Sequence, residues 1–326
     1  MQKFLRELMI VTACVATLTT LDWECEAKAA GNETKLRWSP ATQGYEFDTG
    51  TLFGCIAPYG WYHGVAGLMH REEQVNVVRP RNALINAEYY LRPGSGTRMY
   101  PRQISADKKT THAREEGSVV IQFPREPDYE IDIELTYKPR GDAIDMTMKI
   151  MPAKDVAKFE IFFASYVVEA FRETWVPLRD ANNGREWMRL TNREVVNDCF
   201  GAVRDQKERE ILADGRWGKV LTETLQSHLQ ENPFSEPILI ARNPASGFAL
   251  VFLCDPDATS FVGGQHHGWD TAHDWCFGTD LKAGEAFVGS CRLIYRHFAD
   301  RAEMTQDVEA EWSRFVEETR NSRSGE

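Results

Sequence analysis

Strict alternation of apolar and polar residues marks the middle of the chain. In Tyr129-Glu130-Ile131-Asp132-Ile133-Glu134-Leu135-Thr136-Tyr137 every second side chain is apolar, the period-two pattern of a strand with one buried and one wet face. The turn-rich Lys138-Pro139-Arg140-Gly141-Asp142 interrupts the pattern, which resumes through Ile144, Met146, Met148 and Ile150. Two such segments around a short turn predict an antiparallel hairpin. Further strands are predicted at 118–123, 159–168, 237–241, 248–254 and 287–297, with Asn243-Pro244-Ala245-Ser246-Gly247 as a turn between two of them.

Helical periodicity is scarce until the end. Asp300 and Glu303 form a capping-box-like start, and Met304, Val308, Trp312, Phe315 and Val316 follow at helical spacing. This predicts a helix over 300–320, and a shorter one is expected within 204–214. There is no repeat and no linker-like composition break. The expected architecture is all-β: one large, mostly antiparallel β-sandwich over residues 30–326, closed by a C-terminal helix.

The first residues change the picture of where the protein works. Lys3 and Arg6 precede an apolar run over 8–21, and Ala27-Lys28-Ala29 offers a small-x-small cleavage site. That pattern predicts a signal peptide over 1–29 and a secreted or periplasmic protein. Cys14 in Val11-Thr12-Ala13-Cys14 gives a lipid anchor as the minor reading. The apolar run falls short of the roughly 20 residues of a membrane span, and no later segment reaches that length, so no transmembrane span is expected in the mature chain. The chain carries 38 Lys and Arg against 49 Asp and Glu. That acidity argues against a nucleic-acid partner, because such binding neutralises phosphates with basic side chains. Beyond residue 29 five cysteines remain, Cys55, Cys199, Cys254, Cys276 and Cys291, without CxxC spacing. They read as buried apolar residues, with one disulfide compatible with export.

The run Asp280-Leu281-Lys282-Ala283-Gly284-Glu285, followed by the strand Phe287-Val288-Gly289-Ser290-Cys291-Arg292-Leu293-Ile294-Tyr295, resembles the turn and final strand of the galactose-mutarotase-like β-supersandwich families. The resemblance covers about a quarter of the chain. It implies a supersandwich fold and carbohydrate chemistry without an obligatory cofactor. The Asn-His and Phe-Asn-Leu patterns of the aldose epimerases are absent, so the family's acid and base are not carried onto numbered residues here.

Two stretches hold the candidate chemistry. Three of the eight histidines fall in His266-His267-Gly268-Trp269-Asp270-Thr271-Ala272-His273-Asp274-Trp275. Imidazoles and carboxylates move protons near neutral pH, and indole faces cover sugars. In an extended chain His267, Trp269, His273 and Trp275 point one way and His266, Asp270 and Asp274 the other. A zinc site from His266, Asp270 and His273 is the alternative, although no HExxH-type motif supports a metal. The second stretch, residues 59–73, combines Tyr59, Trp61, Tyr62, His63, His70, Glu72 and Glu73. Arg79, Arg81, Asn82, Asn86, Glu88, Tyr90, Arg92, Arg98 and Arg102 follow it. Such residues read hydroxyls by hydrogen bonding, while aromatic rings cover the C–H face of a sugar.

The expected catalytic set is His70, Glu72, His267, Asp270 and His273. The expected substrate-binding set is Trp61, His63, Arg79, Arg81, Asn86, Glu88, Tyr90, Arg98, His266, Trp269, Asp274 and Trp275. No metal and no cofactor are expected. The expected partner is a mono- or polysaccharide, and the expected function is an exported, mutarotase-type aldose epimerase using general acid–base catalysis. A lyase acting on uronate-containing glycans and a non-catalytic sugar-binding protein are the alternatives. Residues 59–98 and 266–275 should line one cleft, with at least two histidines facing it.

Overall fold

The alternating segment folds as β9 (Ile131–Arg140), paired antiparallel with β10 (Ala143–Pro152). Ile131, Ile133, Leu135 and Tyr137 are buried while Asp132 is exposed. Arg140 pairs with Ala143 across a two-residue turn, and Gly141 takes the left-handed φ of 51° that such a hairpin turn requires. The structure, a computed structural model, describes residues 34–58, 62–92, 96–182, 184–189, 198–214, 229–267 and 270–324. The side chains of residues 89, 91, 92, 96–99, 198, 199 and 324 lie outside that description. So do the expected signal segment, Trp61, Trp269 and the side chain of Arg98.

The hairpin is part of a nine-stranded sheet. Its order is β13 (Arg185–Arg189), β12 (Glu173–Arg179), β15 (Ile238–Arg242), β16 (Phe248–Cys254), β19 (Phe287–His297), β10, β9, β8 (Val119–Gln122) and β7 (Thr110–Ala113). A six-stranded sheet runs β14 (Asp198–Val203), β17 (Thr259–His266), β18 (Asp270–Leu281), β11 (Val156–Val168), β5 (Asn86–Arg92) and β6 (Gly96–Pro101). Within both sheets the paired strands are antiparallel. A four-stranded sheet joins β1 (Lys35–Ser39), β2 (Gly44–Asp48), β3 (Leu52–Ala57) and β4 (Gly64–His70) in sequence order. Its Phe47, Leu52, Ile56 and Leu68 enter the same apolar core. The fold is the expected antiparallel all-β sandwich, and residues 33–326 cluster as one unit.

The large sheets bury one face of each against the other. Trp275 and Phe163 stack in parallel at 5.3 Å, and Phe252 of the nine-stranded sheet meets Trp275 at 5.8 Å. Gly289 on β19 lets Phe277 approach closely, since a Cβ there would sit 2.7 Å from the ring. Each fully buried side chain of this size contributes roughly 1.5–3 kcal/mol through lost apolar hydration. Behind the nine-stranded sheet lies the terminal helix (Arg301–Ser324), which runs beyond the expected residue 320. Asp300 Oδ1 accepts from the Glu303 amide at 3.0 Å, the forward half of the anticipated capping box, while Glu303 Oε2 accepts at 2.5 Å from the Ala299 amide, one residue before the cap. Met304, Val308 and Phe315 bury their stripe with Ile238, Ile240, Val251 and Ile294. A short helix at Gln206–Ala213 is capped by Asp205, which accepts from the Glu208 amide at 3.0 Å.

Candidate functional site

The outer face of the six-stranded sheet, turned away from the sandwich core, carries the polar cluster. Cross-strand pairing sets the faces. Ser165 pairs with His273 and Phe163 with Trp275 on the core side, whereas Ala164 pairs with Asp274 and Val168 with Asp270 on the other side. The segment before β5 is laid along the end of β11 by backbone bonds: Arg79 N donates to Tyr166 O at 3.1 Å and Tyr166 N to Ala83 O at 3.2 Å. This brings the early stretch beside the β17–β18 hairpin, which tightens through a 3.0 Å bond from the His267 amide to the Asp270 carbonyl.

Glu88 is the hub. Arg102 donates to its Oε2 at 2.8 Å, and Tyr166 and Asn86 donate to its Oε1 at 2.7 and 3.2 Å. Arg102 also donates to the Tyr62 hydroxyl at 2.6 Å and lies 4.7 Å from that ring's centre. Tyr62 meets Tyr166 edge to face at 5.2 Å, and Tyr166 stacks with His267 at 6.2 Å. His267 Nδ1 is 2.5 Å from Asp270 Oδ1, and Arg79 forms an ion pair with the other oxygen of that buried carboxylate. Burial pushes the Glu88 carboxyl above its ordinary value, although Arg102 and Tyr166 pull it back. Burial, reinforced by Glu88, pushes Asp274 well above the usual carboxyl range, which favours its neutral acid form. Asp274 Oδ1 has no hydrogen-bond partner among the described residues.

The structure therefore gathers Arg79, Asn86, Glu88, His267, Asp270 and Asp274, and adds Tyr62, Arg102 and Tyr166, which the expected site lacks. Tyr166 is concealed inside the apolar run Phe162-Phe163-Ala164-Ser165-Tyr166-Val167-Val168. Its only signal is a hydroxyl amid aliphatic neighbours. Tyr62 and Arg102 stood in the right neighbourhood, but nothing in their spacing tied either to Glu88.

Several expected residues fall elsewhere. His273 faces the core, where its Nε2 lies 2.9 Å from Thr174 Oγ1 and its ring stacks on Phe252 at 5.9 Å. Burial pulls its pKa down to about 3. Trp275 is wholly inside the sandwich. Tyr90 is likewise a core ring, and its hydroxyl donates to Glu126 at 2.6 Å. His70 ends β4 of the four-stranded sheet and packs against Phe248 and Tyr295 at 4.8 and 5.4 Å, with its Nδ1 accepting from the Glu72 amide. The Glu72 and Arg81 side chains are exposed.

His63 is fully buried one layer behind the cluster. Its Nε2 accepts from the Ala87 amide at 3.2 Å and its own amide donates to Asn86 Oδ1 at 3.1 Å, so it positions the start of β5. Burial, with Lys109 nearby, holds its pKa well below the ordinary value. His266 is half-buried and pairs with Thr271 Oγ1 at 3.2 Å. The zinc alternative fails on parity, since Asp270 and His273 leave β18 on opposite faces. Among the described residues His267 is the one histidine bonded to Asp270, and its ring stacks on Tyr166. Two surface hollows of about 410 Å³ lie away from this cluster, one lined by Arg140, Arg292, Glu311 and Glu318 and the other by Asp257, Phe287 and Arg323.

The chain is thus an antiparallel β-sandwich with a polar cluster on one outer face. No protein-family model and no curated protein matches the sequence. Solved structures do resemble the chain. The Slr1438 protein of Synechocystis superposes with a TM-score of 0.53 at 6% identity, covering 85% of this chain and 100% of its own. A galactose mutarotase related enzyme from Lactobacillus acidophilus gives 0.49 at 10% identity, covering 79% and 99%. A galactose mutarotase-like protein from Lactobacillus casei gives 0.47 at 8% identity, covering 81% and 100%. The likeness is one of fold.

Proposed function

We propose that this chain is a mutarotase-type aldose epimerase that handles a neutral sugar at the cluster around Glu88, His267 and Asp270. The observation that carries this reading is the His267–Asp270 pair on the same outer sheet face as Asp274, whose burial favours the neutral acid. Asp270 engages Nδ1 of His267 and leaves Nε2 for proton transfer. Asp274 keeps its proton through burial and supplies the acid. In the forward step His267 takes the proton of the anomeric hydroxyl, Asp274 protonates the ring oxygen, and the C1–O bond to that oxygen breaks. Rotation about the C1–C2 bond and reversal of both transfers give the other anomer. Positioned acids and bases of this kind supply about 10²–10⁴-fold each. Tyr62 and Tyr166 offer ring surface for the sugar's C–H face, and Glu88, fixed by three donors, accepts from a hydroxyl.

The charge balance supports a neutral substrate. Arg79 pairs with Asp270 and Arg102 with Glu88, whereas uronate-lyase chemistry calls for a cation directed at the substrate carboxylate. The basic, apolar and small-residue order of the N-terminal segment supports export.

The test is anomer exchange across a panel of neutral aldoses, followed by magnetisation-transfer NMR. Exchange above the buffer rate that disappears in His267→Gln supports the proposal. Saturable binding without exchange points to a sugar-binding protein, and a new C=C absorbance on polyuronate digestion points to a lyase.

A further inference from the structure

We propose that Cys254 and Cys291 form an oxidisable pair that closes into a disulfide across the centre of the nine-stranded sheet. The two residues are direct cross-strand partners on β16 and β19. The backbone bond from Asp255 N to Ser290 O, 2.9 Å, lies just outside the pair. In an antiparallel ladder that position marks a non-hydrogen-bonded pair, whose Cα atoms lie about 4.5 Å apart with the side chains on the nearer spacing. A disulfide accepts Cα separations of roughly 4.4–6.8 Å, so closure needs only a small approach of the side chains. The two thiols interact directly, Cys291 adding to the upward push on the Cys254 thiol. Both stand as free thiols in the structure.

Cys276 and Cys55 lack this arrangement. Cys276 pairs across its strands with Phe162 and Phe261, and Cys55 with Glu46 and Gly67. The pairing is thus a property of one register position in the sheet.

The chemistry requires an oxidant that carries its own disulfide, such as oxidised glutathione or a dithiol oxidase. One cysteine gives up its proton, and its sulfur attacks the oxidant to form a mixed disulfide, releasing one oxidant sulfur as thiolate. The second cysteine, also deprotonated, attacks the protein sulfur of that mixed disulfide. The Cys254–Cys291 bond forms and the second oxidant thiolate leaves. Two protons and two electrons have left the protein, and the oxidant's disulfide has become two thiols. Both cysteines are almost wholly enclosed in the fold, and burial raises the Cys254 thiol well above its ordinary value. Oxidation therefore takes place while the sheets assemble, and the folded, reduced protein resists it.

The full chain is produced in parallel in an oxidising and a reducing compartment, denatured in an alkylating agent, digested and mapped by mass spectrometry without reduction. The expected result from the oxidising compartment is a peptide containing Cys254 linked to one containing Cys291. The same protein should melt about 5 °C or more above its reduced form, because the bridge restricts the unfolded chain. Cys254→Ala should abolish the linked peptide and leave Cys291 alkylated. Alkyl groups on both Cys254 and Cys291 from the oxidising compartment, or linkage of either to another cysteine, would overturn the proposal. The readout is independent of any sugar activity.

Discussion

Asp270 stands between His267 and Arg79, giving one oxygen to the imidazole at 2.5 Å and the other to the guanidinium. The early and late segments of the chain meet through this carboxylate. Asp270→Asn keeps the shape but removes the charge that both partners face. Urea denaturation should show a loss of about 1–3 kcal/mol, the usual cost of stranding groups bonded to a buried charge. Anomer exchange should fall at least tenfold, since the imidazole loses the partner that orients it.

Asp274→Asn should behave differently. The parent carboxyl has its folded pKa raised above the unfolded value, so its contribution to stability is greatest at low pH and declines as pH rises toward the folded value. Asparagine carries no such dependence. The variant should therefore gain on the parent by up to about 1.4 kcal/mol per pH unit above roughly pH 4, read from urea midpoints at pH 4 to 7. Exchange activity should drop by about 10²-fold or more as the acid disappears. A variant both more stable and inactive would mark a residue held in a costly state for chemistry.

His273→Gln tests the opposite sign. The folded pKa of about 3 lies below the unfolded value, so the unfolded chain protonates first as the solution is acidified. The parent keeps this contribution above about pH 6.5 and loses it toward pH 3 at up to about 1.4 kcal/mol per pH unit. The stability gap between parent and variant should narrow over that window in thermal melts, and exchange activity should survive in His273→Gln.

Tyr90→Phe removes only the hydroxyl that donates to the buried Glu126. A cost of about 0.5–1.5 kcal/mol is expected, the net worth of one hydrogen bond, because Glu126 keeps the Asp128 and Tyr129 amides as donors. Sugar affinity, measured by calorimetry, should stay within twofold of the parent.

Much of the scaffold could be read from residue patterns. The half-buried β9 alternates, the terminal helix carries a cap and a 3.6-residue stripe, and β16 and β19 lie where apolar runs predicted them. The first seven strands were largely hidden, because short strands among glycines and charges give little periodic signal. β18 is buried over its first eight residues, so its polar side chains stood out as a cluster without revealing their two faces. The extended-chain parity correctly separated Asp270 and Asp274 from His273 and Trp275. It could not tell which side was the core. His267 broke the parity because it precedes the hairpin turn, which folds it back onto Asp270. Distant pairings such as Arg102 with Glu88 depend on how β5 meets the chain beyond β6, and no local spacing encodes that.

The most direct test of a shared sugar site is a crystal structure of the protein with the neutral aldose that exchanges fastest. The sugar should lie against Tyr62 and Tyr166, its anomeric hydroxyl within hydrogen-bond reach of His267 and its ring oxygen near Asp274. A sugar bound instead beside His70, or in the hollow between Arg140 and Glu311, would contradict the account.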